Sequence, residues 1–262
     1  MEYKTILFDV QDGVAHITLN RPEASNALNA DLAKELMHVA IRCDEDPLIR
    51  AVLITASGNV FCAGGDLKDF KAHSEDLPSY FKEITTYIHA AISRFTRMDP
   101  PVVAAVHGAA AGAGMSLACI CDIVLAAENT RFIVAYTRAG LTPDCALTYF
   151  LPRIVGLKAA LELTLTNRVL SAKEAFDLGI VTRVVPDAEL LSEAKALAVQ
   201  LAAGATKALG ASKRLLHSGW KETLETQMEN ETQTIASMGH TSDSSEGITA
   251  FIEKRAPKYE GK

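Results

Sequence analysis

The sequence predicts an α/β fold in which helices cover a mostly buried sheet. Two patterns carry that expectation. Short apolar or alternating runs are interleaved with amphipathic segments up to residue 186, and only helical periodicity follows from Asp187 onward. Composition agrees: 48% of the 262 residues are hydrophobic and 22% charged, enough apolar mass for one large core. The chain therefore divides into a core, residues 1–186, and a C-terminal helical region, residues 187–262.

The elements follow in order. Strands over Ile6 to Val10 and Val14 to Leu19 flank Asp12-Gly13, a hairpin turn signal. The spacing of Leu32, Leu36, Val39 and Ala40 predicts a helix with Asn29 as its N-cap. "RAVLITA" reads as a buried strand, and Ser57 to Lys68 as a glycine-containing loop. Leu77 to Met98 reads as a helix, and "PPVVAAVHG" as a second buried strand closed by Gly108. Strand-like runs cover Asp122 to Ala126 and Arg131 to Ala135. Ser171 and Glu174 form a capping box ahead of a helix that stops at Gly179, and "IVTRVVP" is a short strand. "AELLSEAKALAVQLAA", "WKETLETQMENETQTIASM" and "SEGITAFIEKR" supply the closing helices.

Several function classes are disfavoured by composition. A net charge of −6 without a basic run gives no footprint for nucleic acid. No uncharged apolar run is long enough for a membrane span, and "MEYKTILFDV" lacks the basic start and apolar core of a leader. The five cysteines, Cys43, Cys62, Cys119, Cys121 and Cys145, are irregularly spaced. They predict neither a disulfide framework nor a metal site, and a reducing cytoplasm fits them best.

One carboxylate stands out. Within "AGLTPDCALTYFLP", Asp144 is the single charge in an apolar run. Burying an unpaired charge is costly, so it is either an N-cap for the segment that follows or a working group. Two other stretches offer bare backbone. "NVFCAGGDLK" places two glycines before Asp66, and "HGAAAGAGMSLAC" leads from Gly108 into a helix almost without side chains. A helix start carries unpaired N–H groups and partial positive charge that suit an oxyanion, although close packing also favours Gly and Ala.

Taken together, "HITLNRPEASNALN", "FCAGGDLK", "PVVAAVHGAAAGAG", "ICDIVLAAENTRF", "LPRIVG" and "EGITAFIEKRAPKY" resemble the crotonase (enoyl-CoA hydratase/isomerase) superfamily along nearly the whole chain. The resemblance implies a spiral of ββα units and a C-terminal helical trimerisation region, in homotrimers or dimers of trimers. It implies an acyl-CoA thioester as substrate, with coenzyme A present only as part of that substrate, and no metal or other resident cofactor. The backbone N–H groups of Gly65 and Ala113 match the family's oxyanion hole. Coenzyme A would run along Ala24, Ser25 and Asn26 and along Ala63 and Gly65 to Lys68, including Asp66 and Leu67. Lys68 would meet a phosphate or the pantetheine, its alternative being a solvated lysine. Phe251 and Lys254 would close the nucleotide end from a neighbouring subunit, the alternative for Phe251 being ordinary packing.

The resemblance also bears on the reaction. Family hydratases use two glutamates, and the matching positions here hold Ser116 and Tyr136. Ser116 has no useful basicity, and an ordinary phenol titrates near pH 10, so classical hydration is disfavoured. "GLTPDC" resembles the context of the acid in family isomerases and in 4-chlorobenzoyl-CoA dehalogenases. Isomerisation by Asp144 as a proton shuttle is the first reading. The second is dehalogenase-like substitution, with Asp144 as nucleophile, His89 as base and Tyr136 in place of a loop tryptophan. The third is a non-catalytic acyl-CoA-binding protein. Cys145 as a nucleophile ranks last, and His107 reads as structural.

Overall fold

The computed structural model describes residues 3–262, so the first two residues of the predicted core lie outside it. Strands β1 (Ile6–Gln11) and β2 (Val14–Leu19) form the expected antiparallel hairpin, turned by Asp12 and Gly13 at φ of 53° and 74°. That pair of left-handed residues matches the strand twist. Beside β2 lie β3 (Ala51–Ala56), β4 (Val102–Val106), β6 (Ile123–Ala127) and β9 (Arg183–Val185), all parallel, in a six-stranded sheet ordered β1-β2-β3-β4-β6-β9. Every residue of β4 is buried, as expected for a strand covered on both faces.

A second sheet joins β5 (Ala109–Ala111), β7 (Arg131–Ile133) and β8 (Leu170–Ser171) in that order. Strand β5 runs parallel to β7, and a parallel bridge from Cys62 to Ala110 extends the sheet on its other side. The chain alternates between the sheets. From β3 it reaches Cys62, from β4 it reaches β5, and from β6 it reaches β7, each winding giving one segment to each sheet. This is a spiral of the kind the resemblance implies.

The alternation of side chains along β3 and β4 builds two cores. Val52, Ile54, Val102 and Ala104 face helices α1 (Ala30–Glu45) and α3 (Leu77–Phe95), burying Leu32, Leu36, Ile88 and Ile92. Asn29 caps α1 by accepting from the Leu32 N–H at 3.0 Å. On the other face, Ala51, Leu53, Val103 and Ala105 meet Leu190, Ala194, Ala198 and Ala202 of α8 (Leu190–Ala202). A four-residue spacing of small side chains puts one flat stripe of α8 on the sheet.

Short helices shape the loops between windings. The predicted loop from Ser57 to Lys68 ends in α2 (Leu67–Ala72), and α4 (Ala113–Ile120) follows β5 directly. Helices α5 (Leu147–Val155) and α6 (Leu157–Thr166) come next, then α7 (Ala172–Asp177) with the expected capping box at Ser171 and Glu174. Helices α9 (Thr206–Ser218), α10 (Leu224–Met238) and α11 (Ser242–Ile252) complete the chain. Helix α9 is pinned by Lys213, which is 8% exposed. Its ammonium donates to the carbonyls of Phe95 at 2.8 Å and Pro100 at 3.3 Å, and to Asp122 at 2.9 Å.

Candidate active site

The parallel segments of the small sheet place the candidate residues side by side. Gly65 follows Cys62 by three residues, Ala113 follows β5 by two, and Tyr136 follows β7 by three. All three therefore leave neighbouring parallel strands at the same end, where α/β sheets commonly bind ligands. Together with Asp144 they line one chamber of about 250 Å³. Leu28, Leu67, Phe70, Phe81, Ile84 and Leu141 supply most of its apolar wall.

Backbone bonding explains how Gly65 presents its N–H. Leu28 forms a parallel bridge opposite Gly65, donating to Gly64 O at 2.7 Å and accepting from Asp66 N at 2.9 Å. In such a bridge the central residue of the opposite segment turns its own N–H away. The Gly65 N–H makes no hydrogen bond among the described residues. Ala113 is the first residue of α4, so its N–H has no intrahelical acceptor.

The two loops are held together through glycine. Cys62 N donates to Ala109 O at 3.1 Å and Cys62 O accepts from Ala111 N at 2.9 Å. A Cβ on Gly112, at φ 50°, would stand 3.3 Å from Gly64 Cα, and one on Gly114 would collide with the carbonyl oxygen of Cys62. Close backbone contact, which only glycine permits, thus sets the separation of Gly65 and Ala113.

Asp144 faces the same chamber and does not cap a helix. The residue before α5 is Ala146, which has no capping side chain, and the Asp144 carboxylate turns toward Tyr136. The alternative of an N-cap is thereby corrected: two consecutive left-handed residues, Cys145 at φ 51° and Ala146 at φ 60°, separate Asp144 from the helix start. Left-handed backbone at non-glycine residues costs on the order of 1 kcal/mol each and often collects at functional sites. Ala135 at φ 63°, before Tyr136, adds another.

The Tyr136 hydroxyl donates to Asp144 Oδ1 at 2.6 Å, and Ser116 Oγ lies 2.9 Å from the same hydroxyl. Ser116 is fully buried on α4. Burial raises the Tyr136 phenol well above its ordinary pKa, and the neighbouring Cys145 and Asp144 add to the shift. The phenol stays protonated and remains a donor. Burial, reinforced by Asp144, likewise raises the Cys145 thiol far above its usual value, which removes it as a nucleophile. Cys62 is pushed up to about 11 by burial.

Of the residues expected along coenzyme A, Ala63, Gly65 and Leu67 line the chamber. Ala24, Ser25, Asn26, Asp66 and Lys68 do not. Asn26 is fully buried and ties loops together, accepting from Arg21 N and donating to Ser57 O at 2.9 Å and Val60 O at 2.8 Å. Ser25 O accepts from Ala63 N at 3.0 Å, so residues 24–26 run beside the glycine loop as its support. Asp66 caps α2 and pairs with Arg21 at 2.9 Å. Partial burial raises its carboxyl, but Arg21 and the amides of Asp69 and Lys68 outweigh that and hold it below the usual range. Lys68 is exposed on α2.

His89 departs from expectation. It is exposed and lines a different cavity with Ser93, Thr96, Arg97 and His217. It stands four residues beyond Thr85 on α3, about 6 Å farther along the axis. Ala146, two residues beyond Asp144, lines the same cavity as His89, but among the described residues no hydrogen bond joins His89 to Asp144. Phe251, 86% exposed, and Lys254 also lie outside the chamber of this chain. His107 bonds Gly58 O at 3.0 Å, a structural contact.

The chamber wall draws Phe70 from α2 and Phe81, Ile84 and Thr85 from α3, whereas Leu28, Leu141 and Thr142 carry no distinguishing signal in the sequence. Among the described residues, no group of three or more His, Cys, Asp or Glu is placed to hold a metal ion, and no helix is long and apolar enough to cross a membrane.

Comparison with known proteins agrees with this geometry. Residues 9–262 match the family described as enoyl-CoA hydratase/isomerase. A probable enoyl-CoA hydratase of Rhodobacter capsulatus is 38% identical over 100% of both chains. A 1,2-epoxyphenylacetyl-CoA isomerase of Escherichia coli is 37% identical over 98% of both. The crystal structure of an enoyl-CoA hydratase from Polaromonas sp. JS666 superposes with a TM-score of 0.92 at 37% identity, covering 97% of this chain and 99% of that one. The spiral, the paired glycine loops and the match along the chain make this protein a member of the enoyl-CoA hydratase/isomerase family, the crotonase superfamily of acyl-CoA-processing enzymes.

Proposed function

We propose that this protein is an enoyl-CoA isomerase that moves a double bond by carrying one proton on Asp144. The observation that supports this reading most is that Asp144 is the single carboxylate lining the chamber among the described residues. Hydration needs groups to place and activate a water. A positional shift needs one base that becomes one acid.

The N–H groups of Gly65 and Ala113 receive the thioester oxygen. The Asp144 carboxylate removes a proton from the α carbon of a 3-enoyl-CoA, and the C–H electron pair moves into a dienolate whose charge rests on that oxygen. The β,γ double bond then returns electrons to the γ carbon, which takes the same proton from Asp144. The α,β double bond forms and the carboxylate is restored. Each oxyanion donor contributes about 3 kcal/mol at the transition state, and positioned proton transfer about 10²–10⁴-fold in rate.

Support also comes from the relatives, one of which is named a 1,2-epoxyphenylacetyl-CoA isomerase. The reading includes coenzyme A bound only as part of the substrate. It also includes a homotrimer or dimer of trimers in the cytoplasm, for which the exposed Leu224, Ile235, Ile248, Phe251 and Ile252 of α10 and α11 provide apolar contact area. The test is conversion of a 3-enoyl-CoA to its conjugated 2-enoyl isomer, followed by ultraviolet absorbance. Wild type is expected to convert it and to leave a 2-enoyl-CoA unhydrated. Hydration without isomerisation, or binding without turnover, would overturn the reading.

A further inference from the structure

The positions at which hydratases of this family would carry glutamates are here linked to each other and to Asp144. Ser116 Oγ is 2.9 Å from the Tyr136 hydroxyl, and that hydroxyl donates to Asp144 Oδ1 at 2.6 Å. With the phenol proton directed at Asp144, Ser116 is left to donate to the phenol oxygen. The backbone oxygens of Gly112 at 3.2 Å and Asp144 at 3.4 Å compete for that same single proton, and they place the buried hydroxyl between the oxyanion loop and the loop of the acid. We infer, on the basis of the isomerase reading, that Tyr136 and Ser116 are positioning residues: their relay fixes Oδ1 of Asp144 and leaves Oδ2 as the one oxygen that takes up and returns the substrate proton.

The physical argument runs through the acceptor sites of the carboxylate. An ionised carboxylate has two oxygens and can rotate so that either one faces the substrate. A short hydrogen bond from a neutral phenol to an ionised oxygen is among the stronger kinds and is directional. It orients the group and lowers the basicity of the bonded oxygen, so the incoming proton goes to Oδ2. The phenol does not compete for that proton, because it already carries its own. The titratable groups facing Asp144 are Tyr136 and the Cys145 thiol, both kept neutral by burial. Among the described residues no Lys, Arg or His lines the chamber. Ser116 and Tyr136 carry hydroxyls and no carboxylate at these two positions, which connects the relay to the choice of reaction.

The experiment combines carboxyl spectroscopy with kinetics. Wild type, Tyr136→Phe and Ser116→Ala are labelled with ¹³C at the aspartate carboxyl, Asp144 being assigned by its loss in Asp144→Asn. Removing the phenol donor should move the Asp144 carboxyl ¹³C resonance measured at one fixed pH, and Ser116→Ala should move it by less. In parallel, Tyr136→Phe should lower kcat by at least about tenfold with KM changed less than about threefold. A stationary resonance overturns the relay even in an active isomerase, and a moved resonance with kcat within about twofold of wild type overturns its positioning role. Should Tyr136→Phe fail to fold, Ser116→Ala carries the same two readouts in the same directions. If wild type fails to isomerise but exchanges the α hydrogen of butyryl-CoA in D₂O, the isomerase reading falls and the relay is scored on exchange rate. Absence of both activities overturns both.

Discussion

Gly114 shows how little freedom the oxyanion pair has. A methyl group there meets the carbonyl oxygen of Cys62, which is backbone and cannot rotate aside. Gly114→Ala is therefore expected to cost about 1–3 kcal/mol in chemical denaturation and to lower kcat/KM by about a hundredfold, because Gly65 and Ala113 would be pushed apart. Gly65→Ala differs in kind. Its Cβ would meet the Phe70 ring at 2.6 Å, and a ring can shift, so a smaller stability loss with a displaced chamber wall is expected. The glycines and Asp144 were legible in the sequence because small residues and a lone charge in an apolar run are unusual. The relay was not. Ser116 registered only as a missing carboxylate and Tyr136 as that or as a stand-in for a loop tryptophan, and their contact depends on left-handed backbone at Ala135, Cys145 and Ala146 that no residue type announces.

Helices α2 and α9 illustrate how polar contacts secure short elements. Asp66 accepts from the Asp69 N–H at 3.2 Å and pairs with Arg21, and Arg21 reaches back to the carbonyl of Ala27. Its carboxyl is held below the ordinary value in the fold, so its contribution is present above about pH 4. That contribution is lost as the pH falls through the lower folded pKa. Amide hydrogen exchange of α2 should accelerate below pH 4 in wild type, and Asp66→Ala should show the fast exchange at neutral pH with a loss of about 1 kcal/mol. Lys213 presents the opposite case. Burial raises the Asp122 carboxyl, and the Lys213 ammonium pulls it only part of the way back. Lys213→Ala strands that charge, so a loss of about 3–5 kcal/mol is expected at pH 7. Part of it should return as the pH falls and the raised Asp122 carboxyl takes up a proton. Capping signals at Asn29 and Ser171 were readable because they precede periodic apolar runs. Helix α2 was not foreseen, its first two residues falling in the loop that ends at Lys68, because six residues are too few to show a period.

At the scale of the molecule, the alternation of strands and helices gave the fold class, and the motif resemblance gave the spiral. Alternation alone does not say that successive windings share two sheets, since that depends on pairings such as Cys62 with Ala110. Nor did the helical region after residue 187 announce that α8 covers the far face of the large sheet. Its alanine stripe is a weak apolar signal until the flat face of Ala51, Leu53, Val103 and Ala105 is opposite it. The exposed apolar side chains of α10 and α11 are expected to be covered by further copies. Light scattering should return three or six times the 28.1 kDa chain mass, and a monomer at micromolar concentration would contradict that assembly. The central claim concerns a single acid above a thioester held by two backbone amides. Its most direct test is the initial rate of Asp144→Asn on a 3-enoyl-CoA, with thioester binding measured beside it by calorimetry. A fall of at least about a hundredfold with binding retained is the expected result, and a variant within about tenfold of wild type would contradict the account.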